Sequence, residues 1–416
     1  MGTATDGRLA GGRGTGGRQR GGGDDVDVDV QDDVQGRAGE GAEERAHDAA
    51  RRHASVMLER CTRVLSPALD HPGAVTVDVT LGMGGHAHEL LRRHPGLRLV
   101  GMDRDPQALE LAAHRLHEFA DRITLVHSVS DGLGEALDDL GLDTVDAVFF
   151  DLGVSSLQLD EAERGFSYAR DTALDMRMDP GAPTTAADVL NTYSHSQLTR
   201  ILRVYGEERF APRIASAIVR ERALEPFTSS ARLVDLVRAN VPAATRRTGG
   251  NPAKRTFQAL RIEVNDELGV VERSLPVAFE RLAPEGRLAV LTFHSLEDRI
   301  VKNALRELSS SSAPPDLPFV PAGSGPRAEL LTRGGETADE AELAENPRAA
   351  SARLRAVRRL PGEDRVSSPR VVPASRRRNR PGTGTAGNPA RPRTQEFETH
   401  PHLEPGEPGA TVERTP

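Results

Sequence analysis

The chain has 416 residues, and at roughly 150 residues per domain that length predicts two to three domains. Its composition excludes folding of the whole length. Residues 1–46 hold 13 glycines and the acidic residues Asp24, Asp25, Asp27, Asp29, Asp32 and Asp33, and the end from Pro361 carries Arg376-Arg377-Arg378-Asn379-Arg380 in a Pro/Gly-rich stretch. Too little apolar surface is available in either tail to offset ordering entropy, so both are expected to be disordered. Of 14 aromatic residues, 13 lie between Phe119 and Phe319, inside the segment that remains. Cys61 is the single cysteine, so no intramolecular disulfide forms and no oxidising compartment is indicated. No apolar run approaches the ~20 residues of a membrane span, and the N-terminus lacks the apolar stretch of a secretory signal. A cytoplasmic protein is expected.

The net charge of −8 weakly disfavours nucleic acid, but the average hides an asymmetry. Between Arg200 and Arg261 there are 13 Arg/Lys against 5 Asp/Glu. Such a segment is either a solvated helical face or a phosphate-binding surface, and charge alone does not decide between them.

In chain order, Val75 to Val79 is a β-branched run that stops at Thr80-Leu81-Gly82-Met83-Gly84-Gly85. His86 to Arg93 then reads as a helix closed by Pro95-Gly96. Leu97 to Met102 is a second strand ending at Asp103, after which Asp105-Pro106 is an N-cap with proline at the first helical position. Leu109 to Phe119 has helical spacing, Ile123 to Val126 is a third strand, and Val145 to Phe150 a fourth that ends at Asp151. This alternation predicts right-handed βαβ units in a doubly wound parallel sheet.

The next strong strand, Arg287 to Phe293, begins 136 residues after Asp151, far more than a crossover needs. The intervening chain repeats apolar residues at helical spacing: Leu198, Ile201, Leu202 and Tyr205, then Ile214, Ala217 and Ile218, then Leu233, Leu236 and Val237. A helical domain at residues 160–245, inserted between core segments 47–159 and 246–360, is expected.

Three constellations fall at strand ends. Gly82, Gly84 and Gly85 permit a sharp turn and close approach of a ligand to the following helix N-terminus. Asp103, 25 residues after Asp78, could accept the ribose hydroxyls of an adenosine-containing cofactor. The loop satisfies the dinucleotide pattern with Ala87 in the third place, which leaves an NAD-dependent oxidoreductase open, and it lacks the Lys-Ser/Thr of a phosphate-binding P-loop. A tight turn without ligand satisfies it too.

The second constellation, Asp151-Leu152-Gly153-Val154-Ser155-Ser156-Leu157-Gln158-Leu159-Asp160, begins where open α/β sheets bind ligands, although its polar residues could simply cap a helix. Arg164-Gly165-Phe166-Ser167-Tyr168 and Leu174 to Asp179 follow as a dense polar-aromatic stretch. The third is His294-Ser295-Leu296-Glu297-Asp298-Arg299, in which His294 could shuttle a proton or serve as a hydrogen-bonded structural group. No Cys/His cluster has zinc spacing, so no structural metal is expected.

Taken together with His53-Ala54-Ser55-Val56-Met57-Leu58-Glu59, Asp103-Arg104-Asp105-Pro106, Tyr205 to Phe210, Ala253 to Ile262, Phe293 to Lys302 and Asn346-Pro347-Arg348-Ala349, these motifs resemble the RsmH (MraW) methyltransferases of bacterial 16S rRNA. The resemblance covers residues 53–358. It implies a Rossmann-like class I methyltransferase sheet, S-adenosylmethionine as cofactor, and the exocyclic N4 of a decoding-centre cytidine in the small ribosomal subunit as acceptor. By position, the implied cofactor contacts are Gly84, Gly85, His86, Asp103, Asp151 and Gln158. Two positions depart from the family. Ser130 stands where an aromatic often lies beside the adenine, and Asn251-Pro252-Ala253-Lys254-Arg255 replaces a run with Thr-Arg.

Cytosine N4 is a poor nucleophile because its lone pair is delocalised, so an acceptor for its protons is required. Many exocyclic-amine methyltransferases place an Asp/Asn-Pro-Pro-aromatic loop after the fourth strand. Here Asp151-Leu152-Gly153-Val154 has neither prolines nor an aromatic. The expected catalytic set is therefore Asp151 with Ser155 and Ser156, helped by His294. Arg246, Arg247, Lys254 and Arg255 are the expected contacts to RNA phosphates. A ribosome-assembly factor with a vestigial cofactor pocket remains as a non-enzymatic alternative.

Overall fold

The computed structural model describes residues 55–242, 251–313 and 323–361. Both tails expected to be disordered fall outside these residues, apart from Pro361. Among the described residues, no helix is long and apolar enough to cross a membrane.

The first element is a helix, α1 (Leu58–Leu65), that turns its apolar side onto the sheet through Cys61, Val64 and Leu65. The alternation read from the sequence then appears as β1 (Val75–Asp78), α2 (Gly85–Arg93), β2 (Arg98–Asp103), α3 (Pro106–Arg115), β3 (Ile123–His127), α4 (Leu133–Asp139) and β4 (Val145–Asp151). Asp105 caps α3 by accepting the Gln107 N–H, with Pro106 at the first helical position, as its sequence predicts. The helical spacing from Leu109 to Phe119 resolves into α3 and a separate 3₁₀ turn at His117–Phe119.

Seven strands form one sheet in the order β3-β2-β1-β4-β5-β7-β6, with β5 (Leu282–Thr292), β6 (Ala328–Leu330) and β7 (Arg353–Arg359) completing it. β1 through β5 are parallel, whereas β7 runs antiparallel to both β5 and β6. The expectation of a parallel sheet thus needs one reversed strand, whose consequence is that β7 begins at the ligand-bearing edge: Arg353 pairs with Thr292. β5 also starts earlier than its apolar run suggests. The strand carries Pro284-Glu285-Gly286 as an irregularity, with Glu285 at φ 68° and the register to β4 shifting between Val145 and Ala147.

Both faces of the sheet are covered, which is why its strands read as continuous apolar runs. Consecutive residues of β4 show the period of two. Phe149 packs with Leu65, Leu90 and Leu91 on one face, while Phe150 packs on the other with Val301 and Leu305 of the helix Ser295–Leu308 and with Leu275 and Phe279 of the helix Glu267–Glu280. Both phenylalanines are fully buried, so truncating either to alanine is expected to cost about 3–5 kcal/mol. In chain order those covering helices follow α5 (Ser156–Asp160), α6 (Ala186–Thr192), α7 (His195–Val204), α8 (Ala211–Arg222), α9 (Ser230–Asn240) and α10 (Lys254–Asn265); they are α11 (Glu267–Glu280) and α12 (Ser295–Leu308), with α13 (Glu340–Glu345) last.

Helices α6 to α10 enclose a core of their own, in which Leu198, Ile201, Ile214, Ile218, Leu233 and Val237 are buried at the expected helical spacing. This core takes in Phe257 and Leu260 of α10, beyond residue 245 where the sequence reading ended the insert. Between α5 and α6 the chain forms a loop tied by side chains rather than helix. Arg177 grips Asp175 and donates to the carbonyls of Pro180 and Ala182.

Candidate active site

The glycine turn sits where β1 ends. Gly82 and Gly84 both have left-handed backbones (φ 52° and 75°), and a Cβ on Gly84 would lie 2.9 Å from Leu116 Cδ1. Asp103, at the end of β2, accepts the Gly82 N–H at 2.7 Å with one oxygen and the Asp105 N–H at 2.9 Å with the other. Each of its oxygens keeps one acceptor site. Gly85 lies under Ser55, whose Oγ would be 2.0 Å from an added Cβ, so the segment preceding α1 roofs the turn.

His86 is buried, with Nε2 3.0 Å from the Val56 carbonyl and its ring against Phe149. Burial, with the charge of Arg115, pushes its pKa down to about 4, so the imidazole is neutral. Its Nδ1 lies 3.6 Å from Asp151 Oδ2, too long for a hydrogen bond. His86 therefore anchors the Ser55–Val56 roof while lining the cavity.

Asp151 ends β4. Its N–H donates to Thr80 Oγ1 at 2.6 Å, while its Oδ1 is buried without a hydrogen-bond partner. Burial raises its pKa to about 7, with a smaller contribution from Glu297. Asp78 is raised to about 8, chiefly by burial and then by Asp151 and Asp103; Asp103 is raised by burial as well. Three carboxyls at neighbouring strand ends thus hold protons more tightly than ordinary carboxylates.

Downstream of Asp151 the polar residues form a helix start. Ser155 caps α5 by accepting the Gln158 N–H, and Gln158 Oε1 accepts the Ser155 N–H in return. Gln158 Nε2 donates to Asp105 Oδ2 at 3.0 Å, an oxygen that Arg164 also holds at 2.8 Å. Gln158 borders the cavity with its amide already engaged, and Ser155 lines it too, its hydroxyl donating to nothing among the described residues. Ser156 is the first residue of α5; its side chain is outside the described part.

Ser130 lies in a 3₁₀ turn (Ser130–Gly132), buried, with Oγ 3.4 Å from Ser274 Oγ of α11. That helix packs against the turn, and its Val270 and Val271 line the same cavity. They provide apolar wall where the resemblance leads one to look for an aromatic.

On the opposite side, His294 caps α12 through Nδ1, which accepts the Glu297 N–H, while Glu297 Oε2 accepts the N–H groups of Phe293 and His294. His294 Nε2 is 3.1 Å from Glu297 Oε1 but misaligned for a hydrogen bond, which leaves it without a partner. Burial pushes the Glu297 carboxyl up, yet His294 and the charge of Arg261 outweigh it and hold the group below its usual value. Arg261 binds Glu267 through two 2.8 Å hydrogen bonds. Glu267, His294 and Glu297 each bring one potential ligand atom within 4.8 Å of the others, and the Arg261 guanidinium supplies positive charge there.

Of the expected phosphate contacts, Lys254 lines the cavity and Arg255 donates to the Glu207 carbonyl at 3.0 Å. Arg246 and Arg247 lie outside the described residues. Sequence reasoning missed Ser55, Arg348 and Ser351, which also line the cavity. The only signal for Ser55 and Arg348 was membership of the motifs at 53–59 and 346–349, and Ser351 lies two residues past the second of these.

The cavity these residues enclose measures about 480 Å³, within the range of small-molecule sites. Its donor set fits S-adenosylmethionine. Asp103 has acceptor sites for a ribose, Val270 and Val271 offer apolar wall, the glycine turn lets backbone approach closely, and partly ionised carboxyls favour a sulfonium cation.

Comparison with known proteins agrees. The MraW methylase family profile matches residues 50–360. A protein of Saccharopolyspora erythraea named Ribosomal RNA small subunit methyltransferase H is 60% identical over 331 residues, covering 80% of this chain and 99% of its own. A Thermobifida fusca protein of the same name is 60% identical over 324 residues, covering 78% of this chain and 98% of its own. Its S-adenosylmethionine-type site and near end-to-end similarity to such relatives place the matter beyond fold likeness: the chain belongs to the MraW methylase family.

Proposed function

We propose that this chain methylates the exocyclic N4 of a decoding-centre cytidine, position 1402 in rRNA numbering, in the 16S rRNA of the small ribosomal subunit. S-Adenosylmethionine supplies the methyl group for in-line displacement by N4. The observation that carries the reading is Asp151: a buried carboxyl with an unpartnered Oδ1, poised near neutrality, at the end of β4 beside the glycine turn. The names of the relatives support the RNA substrate.

The chain's own work is alignment and proton handling. Asp151 Oδ1 accepts a proton of N4, which localises the amine lone pair, and keeps that proton once the methyl group has transferred. The hydroxyls of Ser155 and Ser156 orient the base edge, and His294 Nε2 provides a second polar contact across the cavity. Neutral His86 holds the Ser55–Val56 roof, which keeps water from the reacting atoms.

The target base must leave its stack to reach the donor. The helical insert at 160–245, placed between core segments 47–159 and 246–360, holds the surrounding RNA together with the start of the second core segment, whose Arg246, Arg247, Lys254 and Arg255 bind its phosphates. The test is twofold. Calorimetry should detect binding of S-adenosylmethionine and not of NAD, and labelled methyl should pass to small subunits from a strain that lacks the modification. Subunits that stay unlabelled while the cofactor binds would favour an assembly factor instead.

A further inference from the structure

A second, shallower groove opens beside the reaction cavity, and the two share Phe293, His294 and Ser351 in their walls. Three cations line it. Arg299 and Lys302 lie on α12 four and seven residues after Ser295, hence on one helix face. Arg353 opens β7, and because that strand is reversed it stands at the end of β5 next to Thr292.

The one carboxylate in the groove's lining among the described residues is already neutralised, and a second, Glu207, reaches the rim by accepting from Ser295 Oγ at 3.0 Å. Asp298 is held by Arg355 through bonds of 2.7 and 3.0 Å, with both side chains largely buried. Arg299 is exposed and reaches Glu207 only at 3.6 Å, a pairing of little energetic weight. Lys302 and Arg353 are exposed, and neither side chain has a hydrogen bond or ion pair among the described residues. Lys302 from α12 and Arg353 from β7, with Arg299 beside them, give the groove a positive lining next to the catalytic cavity, which attracts an anion there.

We propose that this groove binds the RNA phosphodiester backbone next to the flipped cytidine, with Lys302 and Arg353 as its principal contacts and Arg299 as a third. The inference rests on the RNA-methylating function proposed above and adds to it a site on the sheet domain, which touches the helical insert only through Ser295 and Arg299 against Glu207 among the described contacts. An extruded nucleotide stays tethered through its phosphates, so a base seated in the cavity brings a phosphate to the cavity's rim. The shared wall at His294 and Ser351 is where that rim meets the cations.

The test uses the full chain, intact small subunits and a Lys302→Gln/Arg353→Gln double variant, both positions being outside the cofactor cavity. Subunit affinity should fall about 10- to 100-fold, and the slope of log affinity against log salt should become shallower by about one to two. S-Adenosylmethionine affinity and thermal stability should stay unchanged. A Lys302→Arg/Arg353→Lys variant, which keeps both charges, should recover most of the loss. Wild-type affinity and salt slope in the Gln variant, with wild-type chain still methylating subunits, would overturn this inference and leave the function standing. Failure of the wild-type chain to methylate any RNA would overturn both.

Discussion

Asp103 accepts the Gly82 N–H at 2.7 Å, so the carboxylate expected to hold the cofactor ribose also fixes the start of the glycine turn. Two features read separately from sequence are one unit. Asp103→Ala should lower S-adenosylmethionine affinity by about 10- to 100-fold, since hydrogen bonds to a charged group are worth about 1.5–3 kcal/mol. Asp103→Asn, which keeps one acceptor oxygen, should lose less. Calorimetry on the two variants checks this, and equal affinities for both and for wild type would contradict it.

Asp151 works as a base only when ionised. With a pKa raised to about 7, kcat/KM for the cofactor should climb as pH rises through about 7, because that parameter reports the free enzyme. A bound cation favours the ionised carboxyl, so the limb in kcat should lie at lower pH. Asp151→Asn should reduce single-turnover methyl transfer by about 10²- to 10⁴-fold while subunit binding persists. A variant that keeps wild-type turnover would remove Asp151 from the chemistry.

The same burial sets a stability slope. Asp78 in the fold titrates at about 8, well above an unfolded aspartate near ~3.9, so the native chain retains a proton that the unfolded chain has released. The contribution of this group is therefore fullest below pH ~4 and is lost as pH rises toward 8. Denaturant unfolding without cofactor should show wild type losing more stability between pH 5 and pH 8 than Asp78→Asn. Parallel curves would show that this carboxyl is ionised in the fold.

Arg164 is the counter-ion of Asp105, which has no solvent exposure. The guanidinium also donates to the carbonyls of Arg177 and Met178, joining α3, α5 and the loop before α6. Removing one member of such a buried pair strands the other, so Arg164→Ala should cost about 3–5 kcal/mol. Arg164→Lys should rescue little, because one ammonium cannot reach all these acceptors. Thermal melts decide it, and a shift of a degree or less for the alanine variant would rule this network out as structural.

Much of the ligand edge was legible in the sequence because it lies in short segments. The runs Val75–Val79 and Val145–Phe150 stop at glycine or aspartate, and local pattern suffices to find Gly82–Gly85, Asp103 and Asp151. What local pattern could not show was how far those side chains are already spoken for. Gln158 and His86 both line the cavity, yet the Gln158 amide is also held between Ser155 and Asp105 and the His86 ring also meets the Val56 carbonyl.

Other parts depend on long-range pairing. β7 is rich in arginine and resembles surface chain, yet Arg355 finds Asp298 on α12 and Arg358 finds Glu329 on β6. Ser55 and Arg348 reach the cavity from near opposite ends of the described chain, through contacts such as Arg60 with Glu336. Charge counting pointed toward residues 200–261, and it passed over Lys302 and Arg353, which only the reversed β7 brings together.

The most direct measurement of the central claim is nucleoside mass spectrometry on 16S rRNA recovered after labelled methyl transfer to unmodified small subunits. The account predicts N4-methylcytidine at one decoding-centre position, present with wild type and nearly absent with Asp151→Asn. Label on a different base, on cytosine C5 or on a ribose oxygen would contradict it.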